Sequence, residues 1–394
     1  MTDKHTYEVR ELPAHAATTG PNHHFFGYYD MLQWDATGRY ILGLETTFMD
    51  RSPQPEDPAI VGLIDIENNC RWEPLAETHA WNWQQSSRLQ WLATAPDREI
   101  IFNDRTPDGF VAVIMDIQTG KKRILPRAVN IVSHDGKSAL TLNFSRVHRF
   151  RPGYGYPGMA DPSISDPAPA DDGVFWMDLA TGESRLIISF HDILALPPKR
   201  ADWAGASHWV NHLAIATDDQ RASLLHRWTL PKGRWWTRLI TANMDGSDIY
   251  LLNDYNLVSH FDWRDSNHIL AYAAGPTGDY DFYVHTDQST EMQPLGDMMP
   301  DDDGHCSYSP DRRWVLNDTY PDEQGQRTLM LYDIANDRRI DLGTFYSPAV
   351  QPDELRCDLH PRWNRTGTQI CFDSVHEGSR QIYLMDVEPI VAEE

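Results

Sequence analysis

Three histidines and an aspartate are the residues of this chain best suited to hold a metal ion. His260, His305 and His360 each stand at the head of a short apolar strand, and Asp358 lies two residues before the last of them. Buried His and Asp are costly unless paired or ligated. Three imidazoles with one carboxylate suit Zn²⁺ or Mn²⁺ and leave positions open for a substrate. The plainer arrangement is a set of channel histidines bonded to each other and to water. Cys306 and Cys357 flank the proposed ligands. Strand alternation turns them away, and a shifted register would let one replace a ligand.

A second set lies earlier. His212 and His226 are 14 residues apart and bracket the turn Thr217–Gln220. That spacing places both imidazoles at the same end of a hairpin. Arg227 follows directly, and Arg238 opens the next strand. Two histidines with an arginine can move a proton and neutralise a charge. Polar residues at other strand heads and in the longest insertion read as substrate grip: His24, Tyr29, Gln85, Arg146, His148, Tyr154, Tyr156 and His208. The insertion, residues 149–172, carries Arg151-Pro-Gly-Tyr-Gly-Tyr156. Aromatic faces beside cations suit contact with a sugar or a carboxylate.

These residues need a scaffold that gathers them. Seven times the chain shows an apolar strand with a polar head, a turn, and a partner strand ending in Asp or another turn residue. The turns recur as Ser133-His-Asp-Gly136, Ser309-Pro-Asp-Arg312 and Asn364-Arg-Thr-Gly367. Repeat heads are about 45 to 60 residues apart, once about 80, the size of a four-stranded propeller blade. Helical periodicity is nearly absent, with His191–Leu196 a short turn at most. The fold expected is an all-β seven-bladed propeller, one domain over the 394 residues. The last repeat lacks its outer strand. An N-terminal strand at 6–12 would complete that blade and leave no open sheet edge. The strand heads then converge on one end of the ring axis, where polar residues form a single site.

Bulk properties narrow the partners. With 34 basic against 58 acidic residues, the net charge is −24. That argues against nucleic acid, whose binding rests on basic residues, and against anionic membrane surfaces. It permits a small anionic ligand if Arg, His and metal reverse the field locally. No apolar run approaches the roughly 18 residues of a membrane span. The start, Met1-Thr-Asp-Lys-His-Thr-Tyr7, has no apolar leader core. Four scattered cysteines without a CxxC pair fit reduced thiols. The expected location is the cytoplasm, or the periplasm if a leader was removed.

At these residues the chain resembles the oligogalacturonate lyases. Arg238-Leu-Ile-Thr-Ala-Asn-Met-Asp-Gly-Ser247 looks like the family's Arg-led strand with its Asn-x-Asp-Gly-Ser turn. Ser259-His-Phe-Asp-Trp263, Gly304-His-Cys-Ser-Tyr-Ser-Pro-Asp311 and Asp358-Leu-His-Pro-Arg-Trp363 resemble the three blades that follow. Phe26-Gly-Tyr-Tyr-Asp30 and the hairpin from Asn211-His212 to His226 match as well. The related ulvan lyases share the propeller and a His/Tyr/Arg centre. The resemblance implies β-elimination on a uronate-containing oligosaccharide, an Mn²⁺ held by His and Gln side chains, and an Arg base. Carried over, Arg238 is the base and His305 and His360 are metal ligands. The chain departs from the pattern at Asp358, where the family has His, and the family's nearby Gln appears as Leu355 or is displaced.

β-Elimination requires the C6 carboxylate to be neutralised, a base for the C5 proton and an acid for the leaving O4. A divalent metal supplies the first. Arg is an awkward base because its pKa exceeds about 12, and neutral His212 or His226 is better matched. Arg238 would then clamp the carboxylate. The Ser-Pro-Asp and Asp-Gly turns also suit a non-catalytic TolB-like propeller that binds a protein through its face.

Overall fold

Four-stranded sheets follow one another along the chain in the order the repeats predict. The computed structural model describes residues 7–198 and 200–393. Blade one comprises His23–Phe25, Tyr40–Thr46, Ala59–Asp65 and Arg71–Thr78. Blades two to five run from Gln90 to Leu125, Ile131 to Ser189, His208 to Asn253 and Val258 to Pro294. Blade six holds Ser307–Tyr308, Trp314–Asp318, Gln326–Asp333 and Arg338–Tyr346, and blade seven Arg362–Trp363, Gln369–Ser374 and Gln381–Asp386. The seven sheets form a β-propeller. Among the described residues, no helix is long and apolar enough to cross a membrane.

Local chemistry explains the strands. The middle strands, such as Ile41–Leu44 and Ile100–Phe102, are buried on both faces because blades stack on both sides of them. Apolar residues therefore run on without alternation. The recurrent turns are stapled by their own side chains. Asp116 accepts from Gln118 N (2.9 Å) and Thr119 N (3.0 Å), and Asp178 repeats the device with Ala180 and Thr181.

Ring closure differs from the expectation in one respect. The strand that completes blade seven is Ala14–Ala16, antiparallel to Gln381–Asp386. Of the segment 6–12, Thr6 lies outside the described residues, and Glu8–Val9 pairs parallel with Arg338–Tyr346 as a fifth strand of blade six. Alternation in Tyr7–Leu12 marks a strand correctly but does not say which edge it joins. Helix is also more evident than expected. Phe144–Phe150 is an α-helix whose Asn143 side chain caps Arg146 N at 3.0 Å. Phe190–Ala195 is another, with a Ser189/Asp192 capping box.

Candidate active site

A short segment of blade one is the centrepiece. Phe26 N (3.2 and 3.1 Å) and Gly27 N (2.9 Å) donate to the Asp373 carboxylate, which also pairs with Arg362 Nη2 at 2.8 Å. Arg362 Nη1 donates back to Gly27 O at 2.9 Å. Gly27 has φ +97, and a Cβ there would lie 2.8 Å from Ser86 N, so the position demands glycine. The next three residues, Tyr28, Tyr29 and Asp30, are thereby fixed in the channel, and Arg88 holds Asp30 through two bonds of 3.2 and 3.1 Å.

Four histidines surround these tyrosines. The Tyr28 ring lies 5.0 Å from His212, 6.2 Å from His260, 6.1 Å from His305 and 5.2 Å from His360, centroid to centroid. His305 stands between His260 at 4.1 Å and His360 at 4.2 Å. Irregular backbone presents three of them. The pairing register shifts at His212 between Asn211 and Leu213, and again around His260 between Val258 and Phe261. His212 and His360 have φ of +48 and +43. Bulges and left-handed non-glycine residues are strained, and they concentrate at functional sites.

Burial pushes His212, His260 and His360 below the usual imidazole range, further lowered at His260 and His360 by His305. His260 Nδ1 is backed by Asp303 at 2.9 Å, and His305 Nδ1 by Asp318 at 2.8 Å. His305 Nε2 and His360 Nε2 are buried without a hydrogen-bond partner. One ligand atom from each of His305, Asp358 and His360 lies within 4.8 Å of the other two. Two uncommitted imidazole nitrogens facing a carboxylate form a donor set that fits a divalent cation. Asp358 has further partners. Arg327 Nη2 and Arg356 Nε each lie 2.8 Å from it. Burial would raise its pKa, but these guanidiniums hold it well below the carboxylate range.

Arginines also gather near Tyr28 and Tyr154. Arg227 is buried, with Nε and Nη1 unpartnered, and no carboxylate among the described residues lies within ion-pairing distance. Burial, then the charge of Arg151, bring its pKa down to about 9, and it shares the field of Tyr28, Tyr154 and Tyr320. Arg151 stacks 3.8 Å over the Tyr154 ring, and Tyr154 Oη accepts from Arg356 Nη2 at 2.9 Å. In a chain of net charge −24, a buried arginine without an acid marks a place for an anion.

Several expected site residues lie elsewhere. His226 does not share a site with His212, because the bulge at His212 sends it to Tyr28, Tyr29 and Phe261. His226 Nε2 instead lies 3.0 Å from His208 Nδ1, under Trp203. Arg238 is opposite His226 in register and joins that off-channel group, bonding Ile193 O at 3.4 Å. His24 has both ring nitrogens engaged, by Gln381 at 3.0 Å and Glu45 at 3.1 Å. Arg146 is consumed by His208 O, Asp161, Ser163 O, Asp166 O and Pro167 O and pins the insertion. Tyr156 is core, stacked 4.5 Å on Phe144 and bonded to Asn103. His148 sits on the Phe144–Phe150 helix near Pro152 O, and Gln85 backs Gly27. Tyr29 lies 5.8 Å from His212 and donates to Phe261 O, and Tyr154 lies 6.3 Å from Tyr28, ring to ring. From the sequence, Arg227 and Tyr28 are named only as neighbours of the expected residues, and Asp318, Arg327 and Arg356 are not singled out. Arg227 was findable: in a strand, the neighbour of His226 must face the other way.

No protein-family model matches the sequence, and no curated protein matches it. Solved structures do. An oligogalacturonate lyase in complex with manganese superposes with a TM-score of 0.68 at 15% identity, covering 98% of this chain and 98% of that one. An oligogalacturonate lyase from Vibrio parahaemolyticus gives 0.66 at 13% identity, over 97% of this chain and 99% of that one. A prolyl endopeptidase also aligns, with a TM-score of 0.55 at 8% identity over 93% of this chain and 47% of that one. Likeness at these identities is likeness of fold.

Proposed function

We propose that this chain is a metal-dependent lyase that cleaves uronate-containing oligosaccharides by β-elimination, leaving a 4,5-unsaturated uronate. One observation carries the reading. The Nε2 atoms of His305 and His360 are buried without a partner, their rings 6.1 and 5.2 Å from Tyr28, and Arg227, buried with Nε and Nη1 unpartnered, lies in the field of the same tyrosine. The full-length likeness to a manganese-bound oligogalacturonate lyase supports it.

His305, His360 and Asp358 would hold the ion, with His260 beside them. Mn²⁺ or Zn²⁺ bound there would polarise the substrate carboxylate and acidify C5–H. Arg227 receives the same carboxylate and stabilises the charge that builds on it. His212, neutral through burial, takes the C5 proton. As the C4–C5 double bond forms and the C4–O4 bond breaks, Tyr28 donates its phenolic proton to O4. Burial, then Tyr154 and Asp30, raise the pKa of that phenol, so it keeps its proton until O4 develops charge.

The test is ultraviolet absorbance of an unsaturated uronate. Oligogalacturonate is incubated with the protein, with and without chelator. Product lost on chelation is the expected result. Product only from ulvan-like sulfated chains moves the substrate to the ulvan-lyase type. No product from either discards the lyase reading and leaves a binding module.

A further inference from the structure

One buried carboxylate, that of Asp318, hydrogen-bonds two of the candidate metal ligands. Asp318 ends the strand Trp314–Asp318 of blade six and is fully buried. Its Oδ1 accepts from His305 N at 2.8 Å and from His305 Nδ1 at 2.8 Å. Its Oδ2 accepts from His360 N at 3.3 Å. Blades six and seven therefore meet at the two oxygens of one side chain.

We propose that Asp318 is the positioning residue of the candidate metal centre: it sets the tautomer of His305 and holds His360 in place, so that both Nε2 atoms face the ion. This rests on the metal reading of the preceding section.

The argument is stereochemical. A carboxylate only accepts, so the 2.8 Å contact places the His305 proton on Nδ1. Nε2 then carries the lone pair. It is the same atom that lies buried without a partner beside Asp358 and His360. The simultaneous bond to His305 N fixes the ring relative to its own backbone, which leaves little freedom for rotation about the side chain. At His360 the constraint acts on the main chain. A non-glycine residue at φ +43 is strained and needs support from its surroundings. The Oδ2 bond supplies it at the residue whose backbone carries the imidazole. His260 has a comparable arrangement with Asp303, but Asp303 is partly exposed and serves one histidine only. Outer carboxylates of this kind orient metal-bound imidazoles and raise their basicity.

Asp318→Asn is the discriminating variant. An amide can replace one oxygen but presents N–H₂ to the other donors, so at least one His305 or His360 contact opposes two donors. Metal affinity is measured by calorimetry with Mn²⁺ and Zn²⁺ alone, and folding is monitored by thermal melting without metal. The expected result is a folded variant that binds about 10- to 100-fold more weakly than the parent. Unchanged affinity in the variant overturns the positioning role while leaving the metal centre intact. A parent protein that binds neither ion overturns both. Should Asp318→Asn fail to fold, the nitrogen shifts of histidine-labelled parent protein decide. Protonation of His305 at Nδ1 in the metal-free state supports the proposal, and protonation at Nε2 overturns it.

Discussion

Arg227 and His226 are consecutive in one strand of blade four, yet they serve different places. His226 meets His208 at 3.0 Å on the seam beneath Trp203, whereas Arg227 shares the channel with Tyr28 and Arg151. Strand geometry produces the split, since adjacent side chains point to opposite faces. The arginine near Tyr28 is therefore Arg227, and Arg238 belongs with His226.

That separation predicts the outcome of two substitutions. Arg227→Gln lowers kcat/KM by about 10²- to 10³-fold, the scale of losing one preorganised donor to a developing negative charge. Arg238→Gln stays within about tenfold of the parent and acts mainly on stability, because it opens a buried polar group off the channel. Initial rates of unsaturated-product formation decide, and the reverse ranking would return the role to Arg238.

Metal content gives the second prediction. His305→Ala and His360→Ala lose stoichiometric metal on elemental analysis, while His24→Ala retains it because both His24 nitrogens serve Gln381 and Glu45. In the parent, metal at a hundredfold its Kd raises unfolding stability by about 2.7 kcal/mol. A melting curve indifferent to added metal contradicts the centre.

Asp358→Asn tests the charge balance of the site. Asp358 is clasped by Arg327 and Arg356 at 2.8 Å each, so the amide leaves two buried guanidiniums underpaired. Urea unfolding should show a loss of about 3–5 kcal/mol. Replacing Arg327 by Met in the same variant recovers part of it. Full stability in Asp358→Asn would mean that the arginines find other acceptors.

The buried histidines fix the direction of the pH response. Burial, with help from Arg146 and Arg238, brings His208 down from 6.5 to about 4, and His212, His226 and His360 are depressed in the same direction. Below 6.5 the unfolded chain takes up protons that the folded chain refuses. Stability is therefore complete above about 6.5, falls through that pH toward 4, and is flat to these groups beyond neutrality. Urea midpoints at pH 7 and pH 5 measure the slope. His208→Gln with His226→Gln makes it shallower, and an unchanged slope in that double variant would contradict the assignment.

Much of this was legible beforehand. Seven repeats of strand, turn and strand are written in apolar runs and Asp/Gly turns, because each blade repeats one packing problem. His260, His305, His360 and Asp358 were recognisable as a set because they recur at one phase of that repeat. The blade-four hairpin misled because a spacing of 14 residues says nothing about a bulge, and the bulge at His212 decides which way its ring turns. Arg146 and Tyr156 misled for another reason. Polar and aromatic residues in an insertion look alike whether they line a channel or fasten the insertion down.

The sequence by itself determined the seven blades, their order and the histidine set, since period and turn chemistry are local properties. Only the tertiary structure decided that Ala14–Ala16 closes blade seven, that Arg227 rather than Arg238 enters the channel, and that Asp318 spans His305 and His360. Those depend on which edges meet and where a register slips. Contacts between residues far apart in the chain set both, and no local pattern carries them.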